Sequence, residues 1–112
     1  MDSVVRRARF LPVSDAAALA ALFVRSGESP TILFLHDPDC PISLGAYEEV
    51  ELVDADVNVI DVSDQHELSM AVQSYTGVRH ESPQVIVLRG QKASWHASHG
   101  RIRTPALAAA VE

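Results

Sequence analysis

The chain has 112 residues, of which 47% are hydrophobic and 21% are charged, so it is long and apolar enough to form one packed domain over residues 1–112 and is not a disordered tail. No apolar run approaches the roughly 18 residues of a membrane-spanning helix, so a membrane partner is not expected. The net charge of −6 disfavours a nucleic-acid partner, because phosphate binding requires a basic surface.

The N-terminus and the cysteine content indicate a cellular compartment. Residues 1–10 contain three arginines, but neither an apolar segment nor a small-residue cleavage site follows, so a secretory signal is not expected. Cys40 is the only cysteine. It cannot form an intramolecular disulfide, which fits a reducing environment, and the sequence therefore predicts a cytoplasmic location.

The first predicted elements are a helix and a strand. Residues 12–27 predict a helix that Ser14 caps and Gly27 ends. The residues of its apolar stripe are Ala16, Leu19, Ala20 and Phe23. A continuous apolar run follows at residues 31–35, and such a run is typical of a strand that is buried on both faces.

A turn and a second helix come next. Residues 36–39 contain proline and aspartate, which favour a turn. The helix is expected to begin close to Cys40, with Pro41 in its first turn, where a missing N–H costs nothing. Its predicted apolar face consists of Ile42, Ala46, Val50 and Val53, with Tyr47 beside them. Its predicted solvated face consists of Glu48, Glu49 and Glu51.

The second half of the chain begins with a strand over residues 57–62. A third helix is then expected, capped by Ser63 or Asp64 and ended by Gly77. The residues of its apolar stripe are Leu68, Ala71, Val72 and Tyr75. These two elements continue the alternation of strand and helix along the chain.

A hairpin and a short helix complete the predicted fold. The apolar run 85–88, the turn 89–92 and the segment 93–97 predict two antiparallel strands, and Thr104 caps a last helix that begins with Pro105. The order α-β-α-β-α-β-β-α indicates an α/β domain with a mixed sheet of about four strands and helices on both faces, because strand–helix–strand units pair in parallel.

Cys40 is the strongest candidate for a reactive residue. It follows a buried strand and opens a helix, where the helix dipole and free N–H groups favour the thiolate. Ser43 lies three residues on and is expected to donate its hydroxyl to the sulfur. Asp37 and Asp39 act in the opposite direction, because like charge disfavours the thiolate. The alternative is a buried cysteine that acts as a small hydrophobe.

Ser82-Pro83, just before the third predicted strand, is a second candidate. A proline here belongs at the first position of the strand or in a special turn, because it cannot donate a ladder hydrogen bond. A cis bond would orient the Ser82 backbone toward an extended substrate. The residues alone favour a trans bond, which is the commoner form.

Histidine and tryptophan carry weaker signals. One cysteine with five scattered histidines gives no recognised metal-ligand spacing, so no metal site is expected. His36 either lies near the sulfur or caps the end of the strand. Trp95 favours packing on an edge strand over a substrate platform.

Three segments together resemble the monothiol bacilliredoxin family. They are Cys40-Pro41-Ile42-Ser43, the His-Glu-Ser-Pro-Gln motif at residues 80–84, and the Trp-His-Ala-Ser-His-Gly motif at residues 95–100. The resemblance covers the chain from the first helix to Thr104 and implies a thioredoxin-like fold. It also implies that the Ser82–Pro83 bond is cis and faces Cys40.

The resemblance further implies a thiol–disulfide oxidoreductase that removes bacillithiol from protein mixed disulfides. Cys40 would be the nucleophile, Pro41 and Ser43 would stabilise its thiolate, and Ser82 and Pro83 would bind the substrate. Bacillithiol would be a co-substrate, and no resident cofactor is expected. The partners would be bacillithiol and bacillithiolated proteins.

Two features depart from the family pattern, and two alternative functions stay open. The acidic residues Asp37 and Asp39 stand where family members carry small hydroxyl or uncharged residues, and the C-terminal helix is short. The acidic flanks motivate a non-catalytic binding or scaffold module of the same fold. Analogy with monothiol glutaredoxins motivates an iron–sulfur cluster carrier.

Overall fold

Residues 7–112 are described by a computed structural model, and within them five strands and four α-helices form one α/β domain. The strands are β1 (Arg9–Pro12), β2 (Thr31–His36), β3 (Asp56–Asp61), β4 (Gln84–Arg89) and β5 (Lys92–Ser98). The helices are α1 (Ala16–Arg25), α2 (Pro41–Glu51), α3 (His66–Thr76) and α4 (Thr104–Ala110), with a 3-10 turn at His99–Arg101. The expectation that the chain has no secretory signal falls largely on residues 1–6, which lie outside the described residues.

The sheet is mixed, with the strand order β1-β3-β2-β4-β5. β3 pairs in parallel with β1 and with β2, whereas β4 is antiparallel to β2 and to β5. All six residues of the central strand β2 are buried, which explains its continuous apolar sequence. Leu35 pairs with Gln84, so the end of β2 lies beside the start of β4. The predicted mixed sheet is confirmed.

The prediction of about four strands missed β1. This strand has four residues, lies at the edge of the sheet and is only partly buried, so it lacks the apolar run that marks β2. Its partner β3 begins far along the chain, at Asp56, which pairs with Arg9. Pro12 ends β1 and does not begin a helix, which explains why the predicted helix of residues 12–27 started too early.

Helices cover both faces of the sheet. On one face, α1 and α3 pack against side chains of alternate strand positions such as Leu33 and Leu35. On the other face, α2 and α4 pack against Ile32 and Phe34. Burying each of these large apolar side chains contributes about 1.5–3 kcal/mol. No helix formed by residues 7–112 is long and apolar enough to cross a bilayer.

Helix ends differ from the predictions where a neighbouring side chain competes for the cap. Asp15, not Ser14, caps α1, because its carboxylate accepts the Ala18 N–H at 2.8 Å. Neither Ser63 nor Asp64 caps α3; the residue before this helix is Gln65, whose amide donates instead to the Val13 carbonyl of the β1–α1 turn.

Helix faces and helix stops were predicted better than caps, with four exceptions. Gly77 ends α3 as expected, in the left-handed conformation (φ 73°) that favours glycine. Ile42 and Tyr75 were assigned to apolar faces, but they are 60% and 59% exposed. In α1, Ala16 and Ala20 were assigned to the apolar stripe but are exposed, whereas Leu22 is buried. Larger side chains displace alanine from the core face because they bury more apolar area.

The last helix is held to α2 by Glu49 and Thr104. Thr104 lies in the first turn of α4, and Arg103 occupies the cap position, so the prediction that Thr104 caps this helix is wrong. Its hydroxyl donates to the Glu49 carbonyl at 2.7 Å, and its N–H donates to the Glu49 carboxylate at 2.8 Å. Glu49 is therefore not part of a merely solvated face. The hydrogen bonds that the Thr104 N–H and, at 3.1 Å, the Thr104 hydroxyl donate to the carboxylate lower the pKa of Glu49.

Candidate active site

Cys40 lies in the turn between β2 and α2, as the sequence predicted. Its N–H donates to the Asp37 carbonyl at 3.1 Å, and its carbonyl accepts the Leu44 N–H at 3.0 Å. Extended backbone angles (φ −103°, ψ 122°) make it the N-cap of α2, and Pro41 is the first helical residue. The thiol is free and half-buried. This position places the sulfur at the positive end of the helix dipole.

Ser43 lies beneath the turn, and its hydroxyl has other partners than the one predicted. The side chain is fully buried (0% exposed). Its Oγ lies 2.7 Å from His36 Nδ1 and accepts the Asp37 N–H at 2.9 Å. Among residues 7–112, no hydrogen bond joins Ser43 Oγ to Cys40 Sγ, so the predicted direct contact is corrected. The hydroxyl serves backbone and imidazole groups that β2 leaves unpaired where the strand ends.

His36, the last residue of β2, is also part of the site, and the sequence did not indicate that it would pair with Ser43. It is 8% exposed, and its ring stacks on Phe34 and lies 5.3 Å, centroid to centroid, from Tyr47. Burial lowers the pKa of His36, although the charges of Asp61 and then Asp37 act to raise it. Burial therefore favours the neutral imidazole.

The two aspartates before the cysteine have different environments. Asp37 accepts the Asp39 N–H through its carboxylate at 3.0 Å, which is a usual way for aspartate to stabilise a turn. Asp39 is exposed. We call residues 36–43 the cysteine segment. Asp37 therefore has a structural role in this segment, because it stabilises the turn. The exposed Asp39 carboxylate is free to influence Cys40 through its charge.

Ser82 and Pro83 lie at the same edge of the sheet as Cys40, which is the edge where β2 ends and β4 begins. The Ser82–Pro83 peptide bond is cis, as the family resemblance implies. Pro83 is buried, and its carbonyl accepts the His99 N–H at 3.1 Å. The Leu35–Gln84 pairing brings this segment beside the end of β2. The structure therefore gathers the predicted site residues at one edge of the sheet.

Residues 79–84, which we call the proline segment, are supported by side chains that the sequence analysis missed. Gln84 is 2% exposed; its amide donates to the Arg79 carbonyl at 2.9 Å and accepts the Glu81 N–H at 3.4 Å. Gln73 of α3 accepts the His80 N–H at 2.7 Å. A glutamine is usually a surface residue, so nothing in the sequence marks these two as supports.

Glu81 connects the proline segment to β5. Its carboxylate accepts the hydroxyl of Ser98, and this hydrogen bond is the main cause that lowers the pKa of Glu81. The charges of His99, Arg79 and His96 act in the same direction with smaller effect. Among residues 7–112, His80 Nδ1 and Ser82 Oγ of the same segment are buried without a hydrogen-bond partner.

Histidine and tryptophan have the following places. Residues 7–112 contain no group of three or more His, Cys, Asp or Glu side chains that could hold a metal ion. Trp95 is partly buried and packs against the core on the α2 side, which agrees with the packing interpretation. His99 adopts a left-handed conformation (φ 52°) at the 3-10 turn beside Pro83.

The chain is similar in structure to thioredoxin-fold proteins. One solved protein with a thioredoxin fold, described as a candidate oxidoreductase, superposes with a TM-score of 0.83 at 26% identity, covering 92% of this chain and 94% of that one. A mutant thioredoxin from Halobacterium salinarum gives 0.67 at 21% identity, covering 92% and 88%. Thioredoxin from Malassezia sympodialis gives 0.66 at 15% identity, covering 99% and 94%. The two thioredoxins support the fold alone.

The sequence comparison is more specific. The profile of the family described as monothiol bacilliredoxin BrxC matches residues 12–107. That range contains all the strands and helices except most of β1 and the end of α4, and it includes both the cysteine segment and the proline segment. With its thioredoxin-like fold, the chain therefore belongs to the monothiol bacilliredoxin family, and a redox role follows.

Proposed function

We propose that the protein is a thiol–disulfide oxidoreductase that removes bacillithiol from protein mixed disulfides. The observation that carries this proposal is the half-buried thiol of Cys40 at the N-terminus of α2, at the sheet edge where the cis Ser82–Pro83 bond also lies. A helix N-terminus favours the thiolate, which is the form that attacks a disulfide. The family membership supports bacillithiol as the small thiol that is removed from the client protein.

The exchange takes place in two steps, and in each step one disulfide bond forms and one breaks. The Cys40 thiolate attacks the bacillithiol sulfur of a protein mixed disulfide; a new disulfide forms between Cys40 and bacillithiol, and the client cysteine leaves as a thiolate that takes up a proton from solvent. A second bacillithiol thiolate then attacks the bacillithiol sulfur of the adduct. This step releases bacillithiol disulfide and restores the Cys40 thiolate.

The neighbouring residues have proposed supporting roles. Pro41 begins α2 at a position where its missing N–H removes no helical hydrogen bond. Ser43 stands three residues after Cys40, where a dithiol thioredoxin has its second cysteine, so the adduct cannot resolve within the chain. The Ser82 backbone, placed by Pro83, would pair with an extended client segment. The reaction needs no resident cofactor, and we propose a cytoplasmic setting.

Mass spectrometry tests the proposal directly. A client protein carrying one bacillithiol on a single cysteine is mixed with the purified protein, and the masses of both are followed with time. The expected result is the loss of bacillithiol from the client and its transfer to Cys40. Cys40→Ser is the matched control and is expected to leave the client modified, because a hydroxyl does not exchange with disulfides.

Two outcomes would contradict the proposal. If the wild-type protein gains no adduct while the client stays bacillithiolated, Cys40 is not an exchange nucleophile for this substrate. If the wild-type and Cys40→Ser proteins then bind the client equally, a binding or scaffold module describes the protein better.

A further inference from the structure

The proposed exchange reaction gives no role to the buried pair His36–Ser43. The direction of the hydrogen bond between these two side chains suggests one. Both side chains lie beneath the turn that carries Cys40, and neither is more than 8% exposed. The distance between His36 Nδ1 and Ser43 Oγ is 2.7 Å. At this distance one of the two atoms donates, and the other accepts.

Counting protons decides which atom donates. Ser43 Oγ already accepts the Asp37 N–H at 2.9 Å, and a serine hydroxyl has one proton. If His36 Nδ1 also donated to Oγ, the hydroxyl proton would be left without an acceptor inside the protein, because no hydrogen bond to Cys40 Sγ exists among residues 7–112. An unsatisfied buried polar group destabilises the folded protein.

In the opposite direction, the hydroxyl proton of Ser43 has an acceptor. The Asp37 N–H donates to Ser43 Oγ, and the Ser43 hydroxyl donates to an unprotonated His36 Nδ1. The two hydrogen bonds run in the same direction, so each polarises and strengthens the other. The proton of the neutral imidazole then resides on Nε2. Burial of His36, which disfavours the charged ring, supports this state.

We propose that His36 is a positioning residue that holds the Ser43 hydroxyl proton away from Cys40 and thereby limits how much of the thiol is thiolate. Ser43 occupies the third position of α2 and Cys40 the N-cap, so their side chains lie on the same face of the helix. Once released from His36, the hydroxyl is free to donate to the sulfur when the Ser43 and Cys40 side chains turn toward each other, and such a bond favours the thiolate. The inference rests on the proposed function in taking Cys40 as the reacting thiol.

The charged and titratable groups around His36 are few. Asp61 of β3 pairs with His36 across the strand register, Asp37 follows it in the chain, and Tyr47 of α2 lies against its ring. β4 presents the uncharged residues Pro83 and Gln84 at this level. Asp61 and Asp37 favour the imidazolium form, so acidification is expected to weaken the hold of His36 on the hydroxyl.

A double-mutant cycle tests the inference. The rate of Cys40 alkylation by iodoacetamide is measured against pH for the wild type, His36→Phe, Ser43→Ala and the double variant. Phenylalanine keeps the ring stacking on Phe34 and removes the acceptor. With Ser43 present, His36→Phe is expected to move the midpoint of the rate profile to lower pH and to raise the rate below it by about three- to tenfold. In the Ser43→Ala background, the same change is expected to have no effect.

A spectroscopic measurement on the wild-type protein gives an independent answer. Long-range proton–nitrogen NMR correlations of the His36 ring report which nitrogen carries the proton, and the expected answer at neutral pH is Nε2. A proton on Nδ1 would overturn the inference, as would equal effects of His36→Phe with Ser43 present and in the Ser43→Ala background. The NMR measurement does not require the His36→Phe variant to fold.

The two proposals fail separately. Alkylation and ring NMR involve no bacillithiol, so the expected outcome in both leaves the inference standing even if Cys40 accepts no bacillithiol. Conversely, normal bacillithiol transfer with an Nδ1-protonated ring would remove the role of His36 and leave the proposed function intact.

Discussion

The cysteine segment and the proline segment meet at one edge of the sheet, but they are held in place in different ways. In the cysteine segment, the hydrogen bonds that involve the side chains of Asp37, Ser43 and His36 join residues at most seven positions apart. In the proline segment, Glu81 is bonded to Ser98 of β5, and the Pro83 carbonyl is bonded to His99. The first segment is built locally, whereas the second depends on the rest of the fold.

This difference indicates how the two segments respond to substitution. A change in the cysteine segment alters the chemistry of the sulfur while the sheet stays paired. A change in the proline segment removes hydrogen bonds that hold the start of β4 to β5 or to the loop after α3, so it lowers the free energy of unfolding as well. Residues near the thiol are thus expected to affect reactivity, and residues near the proline are expected to affect stability.

The largest expected effect on stability is at Gln84. Gln84→Met keeps the length of the side chain but leaves the Arg79 carbonyl and the Glu81 N–H without their partner. We expect the free energy of unfolding to fall by about 2 kcal/mol, measured by urea denaturation. Asp39→Asn, at an exposed position of the cysteine segment, is the matched comparison and is expected to change it by less than about 0.5 kcal/mol. Equal losses in the two variants would remove the distinction between the segments.

A smaller effect concerns the pH dependence of stability at Glu81. The hydrogen bond from Ser98 lowers the pKa of Glu81 in the folded protein below its ordinary value of 4.5, so the folded state binds the proton less readily than the unfolded state. The contribution of Glu81 is therefore fully present above the ordinary pKa and is lost as the pH falls through the lower folded value. Urea midpoints between about pH 7 and pH 3 measure this loss.

Two variants isolate that contribution. Glu81→Gln and Ser98→Ala are each expected to reduce the loss of stability on acidification, and the double variant is expected to reduce it no further than Glu81→Gln alone. The acid sensitivity does not vanish, because the pKa values of Glu49 and Asp56 are also lowered, by hydrogen bonds from Thr104 and Arg9 respectively. If Glu81→Gln and Ser98→Ala left the pH profile unchanged, the link between the proline segment and β5 would be of no energetic consequence.

The sequence predicted the elements that depend on local signals. The apolar run of β2 predicts a central strand because both of its faces are buried, and Pro41 after Cys40 marks the first turn of α2. The cis state of Ser82–Pro83 was implied by the family resemblance alone, since the base rate for an isolated proline favours trans. The thioredoxin-like arrangement could thus be anticipated before any distance was known.

What could not be predicted depends on distant pairing. β1 becomes a strand only because β3 offers it an edge, and Gln84 becomes a buried support only because the proline segment folds over it. The His36–Ser43 pair joins residues at the end of a strand and inside the next helix. Serine and glutamine are mostly exposed in proteins, and histidine is intermediate. A single sequence therefore gives no sign that Ser43, Gln84 and His36 are buried in the folded protein.

The smallest expected effect returns to the cysteine segment and to Asp39, whose exposed carboxylate lies next to Cys40 in the sequence. Removing its charge by Asp39→Asn is expected to raise the alkylation rate of Cys40 at neutral pH by roughly twofold at low salt, because a nearby negative charge disfavours the thiolate. Glu48→Gln makes the same change of charge about 12 Å along α2. This distance exceeds the Debye length at about 0.1 M salt, so at that salt concentration Glu48→Gln is expected to leave the rate unchanged.

Salt separates a charge effect from a structural one at this position. Ions screen exposed charges, so the advantage of Asp39→Asn is expected to shrink as the salt concentration rises from about 0.01 M to 1 M. A rate increase that persists at high salt would mean that the substitution reshapes the turn, and the contrast between a locally built cysteine segment and a fold-dependent proline segment would then have to be redrawn. A rate increase that disappears with salt assigns to Asp39 an electrostatic influence on Cys40 that is independent of the hydrogen bonds beneath it.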